Sequence, residues 1–413
     1  MNRHITRPVF SLLLGLSLAA CSETPSDQVE TDSLQTTASA TKPELGSFGI
    51  DLSQQDPATK PGDDFFRFAN GKWLDEFELP ADRSNYGSFS VLGDRSDQRV
   101  NEIIDELASA EPPAGSIEQK ISDYYLSYMD TATLDARGIA PLRESLAQLA
   151  QIDSKEALIE ALGRAQLDAT ASPFGWYVGA DRRDPDRHQL VLSLGGIGLP
   201  DRDYYLLDTE QYQTVRAEYV AHIERMLDFA GINNAAEKAT AVLALETAIA
   251  ENLWPRADRR NRDLTFNPMR YEDFVAQYPG LDWDAYWRAA GIDEVTDLNV
   301  SYPSAMAPVI ALLDSIPIQD WVSYMSYQHI SNLAGVLSQE IDNENFHFYS
   351  TVLRGVPEQR DRWERGVERV GALNGLGEAV GQIYVQKHFP ESAKLQMQAL
   401  VENLRAALKD SID

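Results

Sequence analysis

GIGLPDRDYY, residues 196–205, follows the apolar run LVLSL of residues 190–194. A Gly and Pro break behind a strand-like run marks a turn, in which Asp201 and Asp203 can accept backbone N–H bonds. Tyr204 and Tyr205 then return the chain to apolar surroundings. Upstream, FGWYVGA (174–180), DRRDPDR (181–187) and HQLVLSLGG (188–196) read as two short strands around a polar turn.

Beyond this hairpin the helical period dominates. Val100, Ile103, Ile104 and Leu107 predict a helix over 96–107, and Ile117, Ile121, Tyr124, Tyr125 and Tyr128 one over 116–129. Ser116 and Gln119 supply a capping box for the second. Tyr212, Val215, Tyr219, Ile223, Met226 and Leu227 form a stripe that closes on Gly231 as the residue past the helix end. Val242, Leu245 and Ile249 place a helix over 241–253, stopped by Pro255. Further helices are expected at 154–168, 318–341, 361–388 and 392–410. The fold class is mainly α, a multi-helical lobe with a small β-hairpin element and no internal repeat.

With 43% apolar residues among 413, the chain can bury a sizeable core. Its formal charge of −28 makes nucleic acid and anionic membrane surfaces poor partners, and its plainest meaning is a solvated acidic surface. Residues 1–20 carry Arg3 and Arg7, then the apolar stretch VFSLLLGLSLAA, which is too short to span a bilayer and reads as an export signal. The ending LAAC resembles the bacterial lipobox, in which the cysteine is acylated after cleavage. Cys21 is the only cysteine, so no internal disulfide can form. Ser22 behind it is similar to what outer-membrane lipoproteins carry, so the expectation is an exported, periplasm-facing protein held to the membrane by lipid on Cys21. Residues 21–46, rich in Ser, Thr, Asp and Glu, have the composition of a flexible tether, and the folded domain is assigned to 47–413.

Three ordered blocks carry a resemblance. GIGLPDRDYY closely resembles a signature segment of the neprilysin family of zinc metallopeptidases. PGDDFFRFANGKWLDEFELPADRSNYGSF (61–89) is similar to that family's opening block, and RWERGVERVGALNGLGEAVGQIYVQKHF (362–389) to its Arg-containing helix. Each block also has a structural meaning. Phe65, Phe66 and Trp73 read as packed aromatics, and Gly371, Gly375, Gly377 and Gly381 as sites of close helix packing, since their spacing misses the dinucleotide fingerprint.

The resemblance implies a His-Glu-x-x-His helix and a downstream Glu for zinc, where two imidazoles one turn apart hold the metal and the intervening Glu takes a proton from its water. None of this is present. The six histidines are His4, His188, His222, His329, His347 and His388, and the nearest two are eighteen positions apart. Glu344 and His347 share a helix face without the second such pair that a dinuclear site needs. His222 flanks its apolar stripe and reads as a boundary histidine. YGSFSVLG is no nucleophile elbow, and no P-loop occurs.

The resemblance therefore implies the amino-terminal cap of a longer zinc metalloendopeptidase: a helical lobe that admits peptides to a catalytic lobe lying beyond Asp413. Zinc is expected for the full-length protein and none for these residues. An Arg just before Tyr-Gly in mammalian members holds the substrate's terminal carboxylate; Asn85 occupies that position here, with Arg83 two residues earlier, so both are candidate substrate-facing residues and an endopeptidase is the simpler expectation. Gly62 and Gly366 stand where mammalian members have cysteines. The alternative is a complete, non-catalytic, lipid-anchored peptide-binding or interaction lipoprotein.

Overall fold

The computed structural model describes residues 50–412. The signal segment, Cys21 and the tether lie outside them. The chain divides between Glu78 and Leu79 into two compact units.

In the first unit a turn at Leu52–Gln54 packs beside the helix Phe65–Glu76. Asp64 caps that helix by accepting Arg67 N–H at 2.8 Å. Gly71 is buried, and a Cβ there would press on the Asp56 side chain. Trp73 stacks on Phe77 at 4.6 Å. Phe65 and Phe66, expected to be packed, are 69% and 64% exposed. They occupy the first turn of the helix, whereas Asp56 meets it further along, at Phe68 and Gly71.

The second unit has two apolar cores. The smaller joins the helices Ser88–Ser109, Ile117–Met129, Arg362–Gly371 and Gly377–His388 through Ile104, Ile121, Tyr125, Val367, Val370 and Val380. Ser116 caps the second of these, accepting Gln119 N–H at 3.1 Å, while the Gln119 side chain accepts Gly115 N–H, one residue short of the expected capping box. Gly366 is the close-packing glycine, with its Cβ position 2.8 Å from the Tyr125 ring.

The larger core lies among the helices Lys155–Arg164, Glu210–Phe229, Ala235–Asn252, Trp283–Ala289, Pro303–Ser315 and Ile318–Leu333. Gly231, at φ +68°, ends the 210–229 helix as expected, with Ile232 N–H donating to Leu227 O at 3.1 Å. Against these helices lies a four-stranded sheet of order β1-β2-β4-β3: β1 Phe174–Ala180, β2 His188–Leu194, β3 Pro268–Arg270 and β4 Asp297–Val300. The expected hairpin is present, pairing Phe174 with Leu194, but β2 also pairs β4 in parallel and β4 pairs β3. At three and four residues, β3 and β4 are too short to show alternation.

Two expected helices are broken. The segment 318–341 stops at Leu333, turns through Ala334–Val336, and restarts as Gln339–Phe346, followed by a π-helical turn at His347–Val352. Asp135 holds the restart from a distance, accepting Gln339 N–H at 2.7 Å and its side-chain amide at 2.8 Å. The segment 361–388 breaks between Gly371 and Gly377. Gly375 and Gly377 press on the carbonyls of Arg369 and Gly371, so they make the break itself; Gly371 and Gly381 face open space. The expected helix-packing role does not hold for these four glycines.

Candidate functional site

Arg83 and Asn85 come together on the wall of a cleft of about 440 Å³, beside Arg354, Arg360 and Arg365. Arg83 serves the fold. Its guanidinium donates to Asp94 at 2.7 Å, lies 3.7 Å from Glu364 and covers the Tyr86 ring. Arg360 is likewise held by Asp97 and Glu364 at 3.0 and 3.1 Å, and Arg365 by Asp342 at 2.6 Å. Asn85 is exposed, with only a 3.4 Å contact to Ser84 Oγ. Arg354 is exposed and has no acidic partner among the described residues. The cleft can therefore offer amide and guanidinium donors to a polar, extended ligand.

Residues 196–205 work elsewhere, in the larger core. Tyr205 is buried, accepts Leu199 N–H at 2.9 Å and donates to Glu246 Oε2 at 2.7 Å. Glu246, fully buried, also accepts from Tyr219 at 3.0 Å and from the Gln328 amide at 2.8 Å. Gly196, at φ +75°, presents its carbonyl to Tyr324 at 2.7 Å. Asp201 accepts from Arg259 at 2.5 Å and only weakly from Asp203 N–H at 3.4 Å, so its main partner is a side chain and not the backbone. The motif latches the strand end to three helices. Glu246 had a readable signal, being a carboxylate on the same helix face as Val242, Leu245 and Ile249.

Burial pushes the Glu246 carboxyl up to about 7, over the opposing bonds from Tyr205, Tyr219 and Gln328. Below 4.5 the unfolded and folded chains both hold this proton. Between 4.5 and 7 the unfolded chain loses it first, so stability falls as pH rises through that window, by about 3 kcal/mol. Glu246→Gln is expected to remove this slope. Urea unfolding of both proteins from about pH 4.5 to about pH 8 measures it, and parallel curves would show that Glu246 titrates normally.

His222 is wholly buried rather than at a boundary; its Nδ1 donates to Glu344 Oε1 at 2.9 Å and its ring stacks on Phe348. Burial keeps this imidazole below its ordinary value, hence neutral. Burial also opposes the charge on Glu344, but His222 and Arg225, the latter at 2.8 Å, outweigh it and hold the carboxyl below its usual range. Glu344 is thus engaged away from any metal it could share with His347. Among the described residues no three His, Cys, Asp or Glu side chains are grouped to hold a metal ion.

Comparison with known proteins places this architecture. Residues 61–413 match the model for peptidase family M13. The Mycobacterium tuberculosis zinc metalloprotease ZMP1, solved with an inhibitor, superposes with a TM-score of 0.81 at 35% identity, over 87% of this chain and 54% of that one. Endothelin-converting enzyme 1 of Rattus norvegicus is 23% identical over 87% of this chain and 48% of its own length. PepO from Lactobacillus rhamnosis HN001, 19% identical with a TM-score of 0.71, covers 84% of this chain and shares the fold. The chain spans about half the length of the relatives it matches. From the opening block to the last helix, the chain belongs to peptidase family M13, the neprilysin family of metallopeptidases.

Proposed function

We propose that the chain is the amino-terminal cap of a zinc metalloendopeptidase that hydrolyses peptide bonds in oligopeptides, with zinc and its ligands supplied by a catalytic lobe outside these residues. The observation that carries this reading is the last helix, Glu391–Ile412, which has no buried residue. Met397, Leu400, Leu404, Leu408 and Ile412 repeat at three- and four-residue steps, and all are more than half exposed. Such an apolar stripe calls for a covering surface, and a second lobe would provide it. Coverage of about half of each relative accords with a missing partner of that size.

In this reading the helical lobe selects substrates by size and the cleft at Asn85 meets the peptide. Arg83, drawn away by Asp94, shapes the wall. Cys21 carries a lipid, and the protein faces the periplasm from the outer membrane. The competing reading is a non-catalytic peptide-binding lipoprotein.

The purified 413-residue chain is expected to bind no stoichiometric zinc and to cleave no fluorogenic peptide; chelator-sensitive cleavage would overturn the assignment. Sequencing the source DNA past the codon for Asp413 separates the two readings. A frame running on to His-Glu-x-x-His supports the cap, and an immediate stop codon supports the binding protein.

A further inference from the structure

A second cavity, of about 340 Å³, shares no lining residue with the cleft at Asn85. The helices Ile117–Met129 and Thr131–Arg137 contribute Tyr124, Tyr128, Leu134 and Arg137 to its wall, and Val336 and Arg369 complete it. Its volume suits a small molecule. Arg369 is half-buried, with its guanidinium 5.3 Å from the centre of the Tyr128 ring and hard against Gly335, where any side chain would collide with it. Packing holds the group in place, yet it has no hydrogen-bond acceptor and no acidic partner among the described residues. Arg362, 4.2 Å from the centre of the same ring, shows the contrast: its Nε and a terminal nitrogen donate to Tyr128 O at 3.0 and 2.5 Å. A guanidinium drawn part-way out of water without an acceptor is costly, and an anion in the cavity would relieve that cost.

The other polar groups on the wall have the same sense. Arg137 is exposed in the last turn of its helix, where the helix dipole favours a cation and leaves the guanidinium N–H donors free. It too has no acidic partner among the described residues. Asp130 is the one acid among the described residues that line the cavity, and it is occupied as the cap of that helix. Its Oδ1 accepts Thr133 N–H at 3.0 Å and its Oδ2 the Thr133 hydroxyl at 2.6 Å. Ser127 donates to Tyr124 O at 2.8 Å. The unengaged groups are therefore two guanidinia and the Tyr124 hydroxyl, all able to donate, beside the apolar Leu134 and Val336.

We infer that this cavity is a binding site for a small organic carboxylate, its oxygens toward Arg369 and Arg137 and its apolar body against Leu134, Val336 and Tyr124. The planar guanidinium fork matches the two oxygens of a carboxylate, a match that an uncharged amide of the same shape lacks. An amine of that shape would meet two unneutralised cations and a carboxylate already bonded. The site is independent of peptide hydrolysis and needs no metal.

The test uses the full 413-residue chain and 3-phenylpropionate as probe, in calorimetric titrations at physiological ionic strength. The formal charge of −28 repels anions in general, so attraction of this one must come from the cavity wall. Saturable one-to-one binding with a dissociation constant of about 1 mM or tighter is expected, and at least about tenfold weaker binding of 3-phenylpropionamide and of 3-phenylpropylamine. The surface change Arg137→Gln should weaken the acid about threefold to tenfold. Arg369→Met keeps an apolar side chain beside Tyr128 and removes the fork, and should abolish saturable binding with the far-UV spectrum unchanged. If that variant fails to fold, Arg137→Gln decides alone. Failure of the acid to saturate, equal binding of the amide or the amine, or an unchanged affinity in either folded variant would overturn the assignment.

Discussion

Glu246→Ala is expected to lower the unfolding free energy by about 4–5 kcal/mol, measured by urea denaturation at about pH 6. Three donors converge on this carboxyl group: Tyr205, Tyr219 and Gln328, at 2.7, 3.0 and 2.8 Å. All three are buried, so alanine leaves them without acceptor or water. Each orphaned donor costs about 1–3 kcal/mol, and the void between helices adds to it. Glu246→Gln retains one acceptor oxygen at nearly the same volume and should cost well under half as much. Equal losses in the two variants would mean that volume, and not hydrogen bonding, sets the value of this position. Because Tyr205 also accepts Leu199 N–H, the loss should loosen residues 196–205 first, seen as faster amide exchange at Leu199.

The long elements were legible in the sequence because their signals are local. The stripe from Tyr212 to Leu227 with Gly231 behind it, and Ser116 ahead of Ile117, contain both the periodicity and the stop or start. The broken helices were not legible for the opposite reason. Gly335 is tight because the Arg369 guanidinium lies against it, and Gln339 is capped by Asp135; both partners are remote in sequence. A period-3.6 pattern that runs through residues 334–338 contains no trace of either contact. The site divides in the same way. Asn85 and Arg83 belong to one block, but the cleft they line is completed by Arg354, Arg360 and Arg365, roughly 270 positions further along the chain. Nothing in the block itself distinguishes an Arg83 that faces substrate from one that is bound to the lobe; only the turn of helix that carries Asp94, set beside it by folding, decides for the second.

Gly198→Ala should be nearly as damaging as the loss of Glu246, at about 3–5 kcal/mol, although it adds a single methyl group. A Cβ at Gly198 would fall inside contact distance of the Tyr219 hydroxyl, 2.9 Å from Cζ of that ring and 3.1 Å from the Gln328 amide. None of these can retreat. Tyr219 is fully buried and stacked on Phe348 at 5.1 Å, and both Tyr219 and Gln328 are tied to Glu246. Relief of the clash therefore requires breaking the bonds that hold the carboxylate, so the two substitutions act on one network and their costs should not add. The double variant is expected to fall short of the sum by at least about 1 kcal/mol. Gly195→Ala supplies the control three residues away: nothing lies within 4 Å of its Cβ position, and its cost should stay within about 0.5 kcal/mol. If Gly195→Ala and Gly198→Ala unfolded at the same urea concentration, the segment would be a loop draped on the lobe, and the close approach of Gly198 to the Glu246 network could not be the reason this stretch holds its place.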